Sequence, residues 1–139
     1  MSRHAVRVAV LGAALVLAAC KQAPSVDARD VRLMTTIPTE EPPIYGLAPT
    51  SGVLSIEGGC VRLLGGAQET TLVFPPGYVA LAEGRRIVIA DEAGHALYGV
   101  GHAITVGGAP LSDEPASRLI NEEDRARCLG PYFMVRPQS

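Results

Sequence analysis

From Gly52 onward, turn-forming residues interrupt the chain about every 8–12 positions, and only short apolar runs lie between them. That punctuation excludes long helices and prescribes many brief strands. Val53-Leu54-Ser55-Ile56 leads into Gly58-Gly59, a pair suited to a two-residue hairpin turn, and then into Cys60-Val61-Arg62-Leu63-Leu64. Gly65-Gly66 breaks that strand. Thr70-Thr71-Leu72-Val73-Phe74 follows and stops at Pro75-Pro76-Gly77, where proline then glycine suits a type II turn. Ile87-Val88-Ile89-Ala90 is a short apolar strand, closed by the turn Asp91-Glu92-Ala93-Gly94. Ala96 to Val100 and Ala103 to Val106 are two further strands, or one strand bent at Gly99 and Gly101. Tyr132 to Val135 is the last.

One helix is expected, over about Asn121 to Leu129. Asn121 is a good N-cap, and Glu122, Glu123 and Asp124 suit the positive end of the helix dipole. Arg125 and Arg127 suit the other end, and Gly130-Pro131 stops the helix. Such a helix would deliver Cys128 to Cys60. The fold class that follows is mainly β: a small closed or partly open, OB-like antiparallel barrel of five or six strands with one short C-terminal helix. A small sandwich is the alternative. Closure hides the edges of strands rich in Val, Ile and Leu.

The front of the chain is of another kind. Arg3, His4 and Arg7 precede an apolar run from Val8 to Ala19. A membrane-spanning helix needs about 20 such residues, so the run reads as a signal-peptide core. Leu17-Ala18-Ala19-Cys20 then reads as a lipobox, which makes residues 1–19 a lipoprotein signal peptide and Cys20 a lipidation site. Ordinary signal-peptidase cleavage, giving a soluble secreted protein, is the alternative. Residues 20–48 hold Pro24, Pro38, Pro42 and Pro43 and have a linker composition, expected to be a flexible tether. Val31 to Ile37 could instead dock as an edge strand. Residues 49–139 form the β domain.

Cysteine count and charge narrow the setting. With Cys20 given to lipid, Cys60 and Cys128 remain, and an even pair in an exported small domain reads as a disulfide, with thiol nucleophiles as the alternative. Arg3 and Arg7 leave with the leader, so ten basic groups face 14 acidic ones, a net charge of about −4. That balance argues against a nucleic-acid partner, which needs a basic face. Lys21 is the only lysine.

Taken together, Gly59-Cys60-Val61-Arg62-Leu63, Phe74-Pro75-Pro76-Gly77-Tyr78, Asp91, Gly94, Val100-Gly101-His102, Gly107-Gly108 and Cys128-Leu129-Gly130-Pro131-Tyr132 resemble a group of small exported bacterial β proteins and lipoproteins. The resemblance covers residues 52 to 135. It implies architecture and export, and no biochemical activity. Many members carry an acidic residue where His102 stands and a tryptophan where Phe74 stands. In lipoproteins of bacteria with two membranes, a residue such as Lys21 after the lipidated cysteine resembles outer-membrane sorting.

No motif here assigns catalysis. His95 and His102 lie seven apart, which on one continuous strand puts them on opposite faces. They could share a metal only through the glycine bend between them. No serine sits in a Gly-x-Ser-x-Gly elbow, and the glycine pairs lack the lysine of a phosphate loop. Capping explains the carboxylates of Glu122, Glu123 and Asp124. Phe74, Tyr78, Tyr98, Tyr132 and Phe133 are the candidates for a ligand face, because OB-like barrels bind oligomers on aromatic surfaces. About half of them are expected in the core. The sequence thus predicts a non-enzymatic binding or structural module, anchored to a membrane through lipid on Cys20, with an envelope protein as partner and without cofactor or metal. A small envelope enzyme or metal-binding protein using His95 or His102 is the alternative.

Overall fold

The hairpin expected at Gly58-Gly59 forms as its two glycines dictate. Both have positive φ, 58° and 83°, which no L-side chain adopts cheaply. The computed structural model describes residues 26–138; Cys20 and the leader lie outside them. In chain order the strands are β1 (Met34–Thr35), β2 (Ala48–Glu57), β3 (Cys60–Leu64), β4 (Thr70–Phe74) and β5 (Val79–Glu83). Then come β6 (Arg86–Ala90), β7 (Ala96–Gly99), β8 (Ala103–Leu111) and β9 (Tyr132–Val135). Two helices, α1 (Asp113–Leu119) and α2 (Glu122–Arg127), separate β8 from β9.

Five strands close into a ring. β4, β3, β2, β8 and β9 pair in that order, and β9 returns to β4. Two strands do double duty. The first half of β2 pairs with β8 (Ala48↔Gly108 to Val53↔Ala103), and its second half with β3 (Val53↔Leu64 to Glu57↔Cys60). β8 likewise passes from β2 to β9 at Gly108, which faces both Ala48 and Val135. A Cβ on Gly108 would collide with the Met134 backbone oxygen, so only glycine lets three strands meet there. The barrel is closed and OB-like as expected, but mixed where an antiparallel one was expected: its closing junction is parallel, Thr71↔Tyr132 to Val73↔Met134. Parallel strands need a long crossover, and everything from β5 to α2 supplies it.

The crossover contains a second antiparallel sheet, β5-β6-β7. The Pro-Pro-Gly turn leads into it: Tyr78 N–H donates to the Pro75 carbonyl and Gly77 has φ 85°. One face of this sheet caps the barrel. Tyr78, Ile89 and Tyr98 join Leu54, Val61, Leu63, Leu72, Phe74, Val106, Phe133 and Val135 in a single core. Phe74 stacks on Tyr78 with ring centroids 6.0 Å apart and lies 6.3 Å from Tyr98. Full burial of such side chains contributes about 1.5–3 kcal/mol each.

A second core covers the outside of the ring. Along β4 and β9 the side chains alternate: Leu72, Phe74, Phe133 and Val135 point into the barrel, while Val73, Tyr132 and Met134 point out. The outward set is covered by Met34, Ala116, Ile120 and the Cys60–Cys128 pair. α2 starts at Asn121, whose side chain accepts from Glu123 N–H at 2.8 Å, as the capping pattern predicts. α1 is an additional helix.

Within the segment whose composition reads as a linker, residues 27–37 are docked on the domain. Asp27 caps a 3-10 turn (Ala28–Asp30) by accepting from Arg29 N–H at 2.9 Å. Arg32 bridges to Cys60, and β1 runs parallel to β4 (Met34↔Val73, Thr35↔Phe74). Thr36 N–H then donates to the Phe74 carbonyl and Ile37 N–H to the Leu119 carbonyl. Met34 and Thr36 are each only 1% exposed. The docking reading of Val31 to Ile37 therefore describes this stretch. Its driving force is apolar burial: Met34 joins Val73, Ala116 and Ile120 in the outer core, and Val31 and Leu33 pack against the barrel core.

Candidate functional site

Cys60 and Cys128 form the expected disulfide, with an S–S distance of 2.01 Å and Cα atoms 5.6 Å apart. Cys60 is the first residue of β3, set by the glycine turn before it. Cys128 ends α2, where its N–H donates to the Asp124 carbonyl at 2.8 Å. Both are buried, so neither sulfur is an accessible nucleophile.

The structure does not bring the two histidines together. His95 precedes the four-residue β7 and His102 follows it, so they stand at opposite ends of that strand. His95 belongs to a local turn: its backbone N–H donates to Asp91 Oδ1 at 2.8 Å, and its ring Nδ1 lies 3.2 Å from Asp91 Oδ2. The backbone N–H of His95 holds the Asp91 carboxyl below its usual range, and the imidazole adds to this. His102 packs its ring against Gly99, where a Cβ would come within 2.9 Å of it. Among the described residues no group of three His, Cys, Asp or Glu side chains could hold a metal ion.

All five aromatic candidates are buried. Phe74, Tyr78, Tyr98 and Phe133 belong to the barrel core and Tyr132 to the outer one. On the strand face where OB barrels bind oligomers, β4 is buried along its whole length, whereas Arg62 and Leu64 of β3 are half-buried. What remains of the tyrosines is their hydroxyls. Gln138 Nε2 donates to Tyr98 Oη at 2.7 Å, and Gln138 N–H to Tyr78 Oη at 3.4 Å. Burial pushes the phenols of Tyr98 and Tyr132 above their ordinary range.

The acidic cluster of α2 is structural too. Asp124 accepts from Arg32 Nε at 2.6 Å, and Glu123 lies 3.6 Å from the same guanidinium.

The surface feature that the sequence did not single out is a groove between the start of the docked segment and the β5–β6 hairpin. It is lined by residues 26–29 of the segment and by residues 80–82 and 84–87 of the hairpin. Gly84, with φ 62°, makes the two-residue turn that presents Arg85 and Arg86. Neither arginine forms an ion pair among the described residues. The signal that could have found it is Gly84-Arg85-Arg86 itself, a glycine turn carrying adjacent cations. Elsewhere Ile44 and Leu47 stand exposed, at 95% and 75%, in the connection before β2. Among the described residues no helix is long and apolar enough to cross a membrane. No protein-family model, curated protein or solved structure matches this chain.

Proposed function

We propose that this is a lipid-anchored cell-envelope protein whose β domain serves as a non-enzymatic binding or structural module for an envelope protein. The observation that carries the reading is the use of the cysteines. Cys60 and Cys128 bond to each other, which fits an oxidising compartment outside the cytosol and leaves Cys20 alone in Leu-Ala-Ala-Cys. Three acyl chains on that residue would anchor firmly, since each buried methylene adds about 0.8 kcal/mol. In a bacterium with two membranes, Lys21 after Cys20 favours the periplasmic face of the outer membrane. Exposed Ile44 and Leu47, close in sequence before β2, offer aliphatic surface that a protein partner could cover.

Mass spectrometry of the purified protein tests the anchor: a lipidated Cys20 at the mature N-terminus is expected. Cys20→Ser should release the protein from the membrane fraction, and retention would defeat the reading. Photo-crosslinking from Leu47 in intact cells tests the partner. One recurrent protein adduct is expected, and its absence would count against a protein target.

A further inference from the structure

We infer that the groove face beside the β5–β6 hairpin lies against the phospholipid headgroups of the anchoring membrane. The inference rests on the lipid anchor at Cys20. Only six residues, 21 to 26, separate Cys20 from Asp27, where the docked turn begins. Seven residue steps reach at most about 25 Å, whatever their conformation. A tether reaching to residue 48 would have left the domain free to tumble. The docked segment removes that freedom and puts whatever flanks residues 26–29 next to the bilayer.

What flanks them fits a phospholipid surface. Arg85 and Arg86, exposed at the Gly84 turn, form no ion pair among the described residues, although Glu83 faces Arg86 across the hairpin, and a guanidinium offers paired donors to a phosphate. Val26 and Leu81, 44% and 41% exposed, supply aliphatic surface in the same groove. Asp27, the acidic residue of the lining, lies 3.5 Å from Arg29, which offsets its charge. Lys21 adds a further cation within the short connection. The chain as a whole is acidic, so an approach by this basic end is also favoured over other orientations.

The test uses the full-length protein in intact cells, with photoreactive benzoyl-phenylalanine at Leu81, at Arg85 or at Leu47. Leu47 precedes the opposite end of β2 from Ser55, which borders Arg85 and Arg86. After irradiation, intact mass reports phospholipid adducts, the state of Cys20, and the Cys60–Cys128 bond that marks a folded domain. Phospholipid adducts are expected at Leu81 and Arg85 and not at Leu47. Replacing both arginines (Arg85→Glu with Arg86→Glu) should cut the adduct yield at Leu81 several-fold while the protein stays in the membrane fraction. A lipidated Cys20 without adducts at Leu81 and Arg85, or with equal adducts at Leu47, overturns the orientation alone. An unmodified Cys20 overturns the anchor and the orientation together.

Discussion

Arg32 Nε lies 2.6 Å from Asp124 Oδ1, an ion pair that joins positions 92 residues apart and fastens the N-terminal segment to α2. Asp124 is the less exposed partner, with 14% of its side chain accessible. The same segment donates Arg32 N–H to the Gly59 carbonyl. Asp124→Asn keeps the shape and removes the charge. It should speed tryptic cleavage after Arg29 and raise hydrogen exchange over residues 31–36, while exchange within β9 stays unchanged. Equal protection in wild type and variant would show that the segment is held by its backbone pairing and apolar packing without the ion pair.

Reduction of the disulfide, or Cys60→Ser, opens a loop of 68 residues. Chain-entropy arguments put the loss at about 4 kcal/mol, a large share of the roughly 5–10 kcal/mol expected of a small domain. Urea denaturation with and without reductant measures it. A loss below about 1 kcal/mol would mean that the segment and α2 hold the two ends together without the bond.

Gly107 and Gly108 are neighbours with opposite tolerance. A Cβ at Gly107 meets nothing within 4 Å, whereas at Gly108 it meets the Met134 backbone and the Phe133 ring. Gly107→Ala should change stability by no more than about 0.5 kcal/mol. Gly108→Ala must part β8 from β9 and should cost about 1–3 kcal/mol or more. Comparable denaturation midpoints for the two variants would argue against a three-strand crossing at residue 108.

Alkali should weaken the fold through its phenols. Burial raises the pKa of Tyr98 and Tyr132 above the ordinary value of about 10, so the folded state holds those protons more tightly than the unfolded chain. Their contribution is complete below pH 10 or so and is lost as pH climbs past that value toward the folded one. Tyr98→Phe should make the decline above about pH 10 shallower, with Tyr132 still contributing. At neutral pH the same variant forfeits the Gln138 hydrogen bond, worth about 0.5–1.5 kcal/mol. Urea midpoints across pH for the two proteins decide the matter.

What the sequence made legible was local. Cys60–Leu64 and Thr70–Phe74 are strands with the bounds that their flanking glycines and prolines set, and Asn121 caps its helix. β5 escaped notice because Val79–Glu83 is alanine-rich, lacks a run of β-branched residues, and is exposed along most of its length. α1 is only seven residues long and holds Pro115, which masks its periodicity. β2 and β8 outrun their apolar cores because Pro49, Gly52, Gly107 and Pro110 look like breaks when neighbours are unknown. Of the candidate site, the cysteine pair was readable from number and compartment. The groove was not: Val26 and Arg85 meet only through the fold.

Ring closure through the parallel β4–β9 junction carries a consequence for how this protein is made. The stave that completes the barrel follows the first stave by more than seventy positions, and the sulfur that braces it comes just before. The earlier strands pair with one another, but β4 and β8 stay unjoined until residue 135 has emerged. Closure of the ring must therefore wait for β9. Until then its valine- and leucine-rich edges need shelter from one another, and a chain cut short before Tyr132 should be a substrate for proteolysis rather than a smaller working domain.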